Sequence, residues 1–493
     1  MEWTKEQRYR RLEEVSQKEL FELERRVNHS LWRQTFHIQP KTGLLNDPNG
    51  FSYFNGEYHL FYQWFPLGPV HGLKYWYHVK SKDLVNWEDV GIGIKPGDYF
   101  DSHGAYSGSA IEHEGKLFLL YTGNTRDNDW GRNPYQCLAV MNRDGEISKL
   151  PPVISEVPEG YTDHFRDPKI WKKDDQFFMV IGAQRSNETG CIVLYQSNDL
   201  LGWSFKGEMK TELPPFGYMW ECPDYFELGD RGILVFSPQG IAPDGDLYQN
   251  IYQSGYLIGN PLDVENGLFS HGKFQELDRG FDFYAPQTME DQKGRRILVG
   301  WVGLPEIDYP TDADGWAHCL SLPRELTEKN GKLLQNPVKE LQELRKNEKG
   351  IEEDTLEDEG KSYVGFTGTT YELTTEFQNH DAKTFGIEFR TGKNEKTIIT
   401  YDTIEKKLVL DRTHSGISFA TSYGTVRKCA LDSKKIKLQM FVDVSSVEIF
   451  VNDGEEVFTS RIFPSQESQG IRFFATGGKV SFQAKKWELQ TNQ

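Results

Sequence analysis

Residues 46–63 read NDPNGFSYFNGEYHLFYQ, in which a short polar motif is followed by two apolar runs. Asn55-Gly56 separates the two runs, and this dipeptide between alternating apolar segments is typical of a two-residue β-hairpin turn. The stretch therefore predicts a strand, a tight turn and a second strand, with the polar motif near the start of the first strand.

The same arrangement recurs four more times along the chain. The further copies are YSGSAIEHEGKLFLLYTGN (106–124), FRDPKIWKKDDQFFMVIGAQ (165–184), WECPDYFELGDRGILVFSPQG (220–240) and YAPQTMEDQKGRRILVGWVG (284–303). The markers Asp47, Ser107, Asp167, Glu221 and Pro286 are 60, 60, 54 and 65 residues apart. We infer a repeat with a period near 60 residues and five units.

A second internal repeat supports this period. The pattern S-x-D-L-x-x-W occurs at residues 81–87 and again at 197–203, 116 residues later. A unit of several strands that cannot bury both faces alone suits a propeller blade of four antiparallel strands better than a solenoid coil. We therefore predict an all-β fold whose main part, residues 31–335, is a five-bladed β-propeller.

The rest of the chain divides into three predicted parts. Residues 1–30 form a short N-terminal helical extension, with a solvated helix over 5–27. Residues 336–355 combine a linking helix with a solvated acidic junction. Residues 356–493 form a β-sandwich, in which Asn452-Asp453-Gly454 separates two apolar runs as a hairpin turn.

Composition excludes several classes of function. The net charge is −18 with no basic run, so a nucleic acid is not an expected partner. Apolar runs are far shorter than the roughly 20 residues that cross a bilayer, so no membrane partner is expected. The charged N-terminus lacks the apolar core of a secretory signal, and five widely spaced cysteines are expected to be free thiols, which together predict a cytoplasmic protein.

Three of the five markers are carboxylates, namely Asp47, Asp167 and Glu221. First strands of successive blades line the central axis, so we expect these side chains, at equivalent repeat positions, to converge there. Like charges in one pocket separate their pKa values, which leaves one carboxyl protonated while another is ionised. Glycosidic cleavage needs that arrangement, and the distance between the carboxyls decides between retention and inversion.

Aromatic and polar residues near the markers are candidates for sugar binding, because a ring stacks on the C–H face of a sugar and hydroxyls need polar partners. The aromatic candidates are Trp64, Phe100, Tyr106, Tyr284 and Trp301. The polar candidates are Asn46, Gln63, Ser107 and Arg166, the last of which could also pair with a carboxylate. Histidines fall at no metal spacing, and no phosphate or dinucleotide fingerprint is present, so no metal or cofactor is expected.

These motifs resemble those of a known family. N-D-P-N-G at 46–50, F-R-D-P at 165–168 and E-C-P-D at 221–224 resemble the three acidic motifs of glycoside hydrolase family 32, which includes invertases, fructanases and sucrose-6-phosphate hydrolases. The resemblance extends through Y-S-G-S, F-Y-A-P-Q, S-L-P-R-E-L and S-V-E-I-F, over nearly the whole chain. Within the family, the likeness is closest to the intracellular bacterial sucrose-6-phosphate hydrolases.

The resemblance implies a five-bladed propeller with an appended β-sandwich, and a retaining hydrolase that cleaves sucrose 6-phosphate, and sucrose as well, without metal or cofactor. It assigns Asp47 as the nucleophile and Glu221 as the general acid and base. It assigns to Asp167 the binding of the fructose hydroxyls and the stabilisation of the oxocarbenium-like transition state. Glu221 should then need a raised pKa and Asp47 a normal or lowered one.

Two departures from the family pattern concern the substrate. Leu44-Leu45 stand where Trp-Met is common, and His71 stands for a tryptophan common in extracellular invertases. A phosphate on the substrate also needs a basic partner in this acidic protein. The candidates for that phosphate or glucose subsite are His71, Lys74, Arg126, Arg132 and Arg185.

Other functions stay open on the sequence alone. They are a fructan-hydrolysing enzyme of the same family, an inverting arabinan- or xylan-cleaving propeller, and a non-catalytic sugar-binding propeller. The expected partner in each case is a small sugar, a sugar phosphate or a polysaccharide. The sandwich is expected to act as a structural buttress, a homodimer surface or an ancillary sugar site.

Overall fold

The computed structural model of the protein describes residues 3–490. Its helices are few and short: α1 (Lys5–Arg8), α2 (Gln17–Asn28) and four 3₁₀ helices (Leu12–Glu14, Pro310–Asp314, Lys339–Leu344 and Thr421–Tyr423). Within this described part, no helix has both the length and the apolar character that a bilayer crossing requires.

The N-terminal extension differs from its prediction. In place of one helix over 5–27 there are two α-helices with a 3₁₀ helix between them, because the side chains of Thr4 and Ser16 each accept a backbone N–H bond and start a new α-helix. α2 is also not wholly solvated, since Leu23 and Val27 are buried.

Residues 43–337 form five sheets. Their strands are β1 (Gly43–Phe54), β2 (Glu57–Phe65), β3 (Tyr75–Ser81), β4 (Trp87–Ile94); β5 (Ala105–His113), β6 (Lys116–Arg126), β7 (Arg132–Met141), β8 (Ile147–Ile154); β9 (Tyr161–Lys173), β10 (Gln176–Arg185), β11 (Gly190–Ser197), β12 (Ser204–Glu208); β13 (Met219–Leu228), β14 (Arg231–Gln239), β15 (Gly255–Gly259), β16 (Gln275–Glu276); β17 (Tyr284–Glu290), β18 (Arg296–Val302), β19 (Trp316–Ala317), β20 (Cys319–Leu320), β21 (Arg324–Lys329) and β22 (Lys332–Pro337). Neighbours pair antiparallel, except that β19 pairs in parallel with β1.

The first strands of the five sheets lie side by side. β1 contacts β5, β5 contacts β9, β9 contacts β13, β13 contacts β17, and β17 contacts β1. A hydrophobic cluster rich in aromatic rings lies between each sheet and the next. The sheets therefore pack face to face as a propeller, and their first strands surround a common axis.

The two copies of S-x-D-L-x-x-W form the same turn, one before β4 and one before β12. Leu84 (φ 66°) and Leu200 (φ 68°) both adopt the left-handed conformation. The indole N–H of Trp87 donates to the Leu84 carbonyl oxygen, and that of Trp203 donates to Leu200 in the same way. The predicted hairpin at Asn55-Gly56 is likewise confirmed, with Phe54 paired to Glu57.

The C-terminal part is a sandwich of two six-stranded sheets. Its strands are β23 (Arg345–Glu357), β24 (Gly360–Lys361), β25 (Tyr371–Asn379), β26 (Thr384–Thr391), β27 (Lys396–Asp402), β28 (Lys407–His414), β29 (Val426–Ala430), β30 (Lys435–Asp443), β31 (Ser446–Val451), β32 (Glu456–Arg461), β33 (Gly470–Thr476) and β34 (Lys479–Leu489). The strand orders are β23-β34-β25-β30-β31-β32 and β24-β33-β26-β27-β28-β29, with one apolar core between them.

The junction before the sandwich also differs from its prediction. Instead of a linking helix and a solvated acidic stretch, the chain makes a 3₁₀ helix at Lys339–Leu344 and then the edge strand β23. β23 is acidic and largely exposed on its outer side, but its backbone pairs with β34. An edge strand can carry charged side chains, which is why composition alone suggested a solvated junction.

A buried polar network joins the propeller to the sandwich. His37, which precedes β1, lies 2.8 Å from Asp443 and 3.1 Å from Glu448 in the sandwich. Arg324 of β21 also pairs with Glu448, at 2.6 Å. These side chains are buried, so each charge relies on its partner across the interface.

Candidate active site

Each of the five axial strands has a β-bulge at its polar motif. Between two successive pairs, the first strand of the sheet advances by three residues while its neighbour advances by two. In β13, for example, Glu221 pairs with Ser237 and Asp224 pairs with Val235. The equivalent spans are 45–48, 105–108, 166–169, 221–224 and 284–287. A bulge re-aims side chains, so five bulges at one level of the axis can direct several of them to one point.

The three carboxylates occupy different positions of this bulge. Glu221 is the first residue of its span, Asp167 the second and Asp47 the third. The expectation of equivalent positions is therefore wrong. The bulges differ in conformation, since the second residue has positive φ in β9 (Asp167, 69°) and β13 (Cys222, 49°) but not in β1.

The carboxylates nevertheless meet at one place, which we name the axial site. The thiol of Cys222 lies 3.6 Å from Oδ2 of Asp47 and 3.6 Å from Oδ2 of Asp167. The backbone N–H of Cys222 also donates to Asp167 at 2.9 Å. The charge of Glu221 raises the pKa values of both aspartates, which shows that the three groups interact.

Asp47 is held by a chain of polar side chains. The hydroxyl of Ser107 donates to Asp47, and the Asn46 amide donates to it at 3.2 Å. Gln63 in turn donates to Ser107 at 2.6 Å and accepts from Asn46 at 2.9 Å. Burial still raises the pKa of Asp47, against these bonds, so the expectation of a normal or lowered value is wrong.

Glu221 is fixed by two partners. Arg166 donates to its Oε1 at 2.9 and 2.7 Å, and the Tyr284 hydroxyl donates to its Oε2 at 2.6 Å. Arg166 also lies 3.0 Å from Nδ1 of His164. Burial alone would lower the pKa of Arg166, but the charges of Glu221 and Asp167 and the hydrogen bonds to Glu221 together raise it. Arg166 therefore stays a cation beside Glu221.

Asp167 is a buried carboxyl with a raised pKa. Burial raises its pKa to about 7, opposed by Arg166 and assisted by the charges of Glu221 and Asp47. The pKa of the Cys222 thiol is also raised, by burial and by the neighbouring carboxylates. Cys222 is therefore a protonated thiol beside the site, which argues against its action as a thiolate nucleophile.

The other predicted sugar ligands fall into two groups. Tyr106 is half-buried at the site, and its hydroxyl accepts a bond from Asn124 at 3.2 Å. Trp301 is buried, with ring centroids 6.0 Å from both Tyr284 and His71, so it lies behind them. The remaining candidates pack in the hydrophobic clusters between the sheets: Leu44, Leu45, Trp64 and Phe100. The contact of Trp64 and Phe100 with a sugar stays a prediction.

The candidates for a phosphate subsite differ in how accessible their side chains are. Lys74 is buried, and burial lowers its pKa to about 7. Its ammonium donates to Asn46 at 2.6 Å and so holds a residue that contacts Asp47. Arg185 pairs with Glu208 at 2.6 Å. Neither is available to a phosphate, whereas His71 is exposed to solvent.

Sequence reasoning missed some residues of the site. It treated Cys222 as one of five free thiols, although the E-C-P-D motif places this residue next to Glu221. His164 could have been found from its position two residues before Arg166, which puts both on one face of β9. Thr122 accepts a bond from the Asp167 backbone N–H at 2.9 Å, and no sequence signal indicated it.

Comparisons with known proteins agree on one family. The chain matches the glycosyl hydrolases family 32 N-terminal domain over residues 37–337 and the family 32 C-terminal domain over 340–488. It is 50% identical to a sucrose-6-phosphate hydrolase of Staphylococcus xylosus, covering 99% of both chains. The structure of sucrose-6-phosphate hydrolase from Lactobacillus gasseri matches with TM-score 0.92 and 39% identity over 99% of both chains. A Bombyx mori GH32 beta-fructofuranosidase mutant in complex with sucrose matches with TM-score 0.81 and 35% identity, over 97% of this chain and 99% of that one.

Proposed function

The chain belongs to glycoside hydrolase family 32, and on that premise we propose that it is a retaining β-fructofuranosidase that hydrolyses sucrose 6-phosphate. The products are fructose and glucose 6-phosphate, and sucrose is a second substrate that yields glucose. The observation that carries the proposal is the meeting of Asp47, Asp167 and Glu221 in a chain 50% identical, over its whole length, to a sucrose-6-phosphate hydrolase.

In the first step, a carboxylate oxygen of Asp47 attacks C2 of the fructosyl unit. The bond from C2 to the glycosidic oxygen breaks, and Glu221 gives its proton to that leaving oxygen. The hydroxyl of Ser107 and the amide of Asn46 keep the Asp47 oxygens in place for attack. Asp167 binds fructose hydroxyls and stabilises the positive charge that develops at the fructosyl ring.

In the second step, Glu221 acts as the base. It takes a proton from water, the water oxygen attacks C2, and Asp47 leaves as a carboxylate. Arg166 and Tyr284 hold Glu221 through both steps, so one carboxyl group can act in both directions. Burial raises the pKa of Asp167 to about 7, so this carboxyl is partly protonated near neutral pH.

The mechanism is tested by NMR of the first sugar released. Retention predicts β-fructofuranose as the initial product, before mutarotation. α-Fructofuranose as the initial product would remove the nucleophile role of Asp47. Asp47→Asn and Glu221→Gln should each lower kcat by at least about 10³-fold, and folded variants with near-full activity would contradict these assignments.

We also propose that the five sheets are five blades, supported by the closed ring of axial strands and by the pairing of β19 with β1. The proposed parts are the extension at 1–30, the propeller at 31–335, the junction at 336–355 and the sandwich at 356–493, with β23 moving the start of the sandwich to residue 345. A cytoplasmic location and a homodimer stay predictions from the sequence.

A further inference from the structure

We propose that Arg126 and Arg132 form the subsite that binds the phosphate of the substrate, an inference that rests on the proposed function. Arg126 is the last residue of β6 and Arg132 the first of β7, and the two pair directly across the hairpin. Like charges in such a cross-strand pair repel each other. An anion bound between them would remove that repulsion.

Neither arginine has an anionic partner of its own. Among residues 3–490, neither forms an ion pair, and the buried Nε atom of each has no hydrogen-bond partner. Arg166 and Arg185, in contrast, each pair with a glutamate at 2.7 and 2.6 Å. Unpaired guanidinium groups present donors in the planar geometry that suits phosphate.

The pair lies next to the axial site, since Asn124 of β6, two residues before Arg126, donates to the hydroxyl of Tyr106 at 3.2 Å. Glycosidic cleavage places the glucosyl unit next to Glu221, which protonates its oxygen, and Arg166 holds Glu221. Burial and the nearby charge of Arg166 both lower the pKa of Arg132. The hydroxyl of Tyr106 is within the field of Arg132, Arg126 and Arg166 at once. A glucose 6-phosphate unit beside Glu221 would therefore direct its phosphate toward this hairpin.

The N-terminal extension packs against the hairpin that carries the two arginines. Trp130 lies in the loop between the two arginines, with the ammonium of Lys5 3.6 Å from its ring centroid and the ring of Tyr9 at 5.3 Å. Arg8 donates to the backbone carbonyl of His71 at 2.8 Å. Three residues of the extension thus contact the loop of this hairpin or the neighbouring His71.

The test is the ratio of kcat/KM for sucrose 6-phosphate to kcat/KM for sucrose, in the wild type, Arg126→Gln, Arg132→Gln and the double variant. Loss of one charge-assisted contact should lower this ratio about 10- to 100-fold in each single variant, and further in the double variant. The inhibition constant of glucose 6-phosphate should rise by a similar factor, whereas the inhibition constant of glucose should not change. Arg185→Gln is the matched control, because its ion pair with Glu208 keeps it away from the substrate, and its ratio should equal that of the wild type.

Melting temperature separates binding from folding. Removal of one of two facing like charges should not lower the Tm. If the Tm is unchanged, a lower activity of the variant reflects weaker binding and not unfolding. A double variant that keeps the wild-type ratio, or that loses both substrates equally, would overturn the subsite. A wild type that prefers unphosphorylated sucrose would instead overturn the proposed substrate, and the subsite with it.

Discussion

Asp47 is a carboxylate in a buried position, where two opposing effects determine its charge. Burial and the neighbouring Glu221 favour the protonated form, while bonds from Ser107 and Asn46 favour the ionised form. The first effect is larger, so the pKa is raised. Activity requires ionised Asp47, and kcat/KM must therefore fall as the pH drops through this raised pKa.

Ser107→Ala removes a donor to Asp47 and should raise that pKa further. A hydrogen bond to a charged group contributes about 1.5–3 kcal/mol, which corresponds to about 1–2 pH units. We expect the acid limb of the kcat/KM profile to move to higher pH by about that amount, with a loss of about 10-fold or more at its plateau.

The control for this variant is Ser52→Ala. Ser52 is also buried, and its hydroxyl donates to the backbone oxygen of Gly50 rather than to a carboxylate. Its profile should match that of the wild type. An acid limb of Ser107→Ala that stays in place or moves to lower pH would contradict the role given to Ser107.

At the scale of elements, the repeat was readable because each hairpin has its own local signal. Asn55-Gly56 specified a turn, and three acidic motifs indicated where strands approach the axis. The register inside the bulge was not readable, because it depends on positive φ at single residues such as Asp167 and Cys222. For the same reason the sequence could not show that Leu44 and Leu45 face the core.

The S-x-D-L-x-x-W turns provide a test of structural repetition. Asp83 accepts backbone bonds from Val85 and Asn86, and Asp199 accepts the equivalent bonds from Leu201 and Gly202. Asp83→Ala and Asp199→Ala should each lower the free energy of unfolding by about 1–2 kcal/mol, as for lost capping bonds.

Chemical denaturation measures these two values, and kcat on sucrose 6-phosphate is the control. Both turns precede the outer strands β4 and β12, whereas the carboxylates lie on the first strands around the axis, so kcat should be retained in the folded variants. A lower free energy of unfolding for one variant and an unchanged value for the other would contradict the view that the two turns are equivalent parts of a repeat.

At the scale of the whole molecule, the propeller and sandwich share a buried ionic network that no sequence pattern indicated. Burial alone would lower the pKa of His37, but its bonds to Asp443 and Glu448 outweigh burial and raise the pKa to about 9. The network joins residues more than 400 positions apart in the chain, which is why only the fold could reveal it.

This network predicts a dependence of stability on pH. A folded-state pKa above the unfolded value of about 6.5 contributes stability that is complete below pH 6.5 and is lost as the pH rises through about 9. The contribution amounts to about 3 kcal/mol. The difference in free energy of unfolding between wild type and His37→Gln should therefore shrink between pH 6.5 and pH 10. Denaturation at both values measures it, and a constant difference would mean that His37 is neutral in the folded protein.

The central claim concerns the substrate of the whole molecule. It is tested most directly by kcat/KM for sucrose 6-phosphate, sucrose and a short inulin, measured side by side with the wild-type protein. We predict the highest value for sucrose 6-phosphate, a lower value for sucrose and the lowest for inulin. The highest value for inulin would contradict the account and identify a fructanase of the same family.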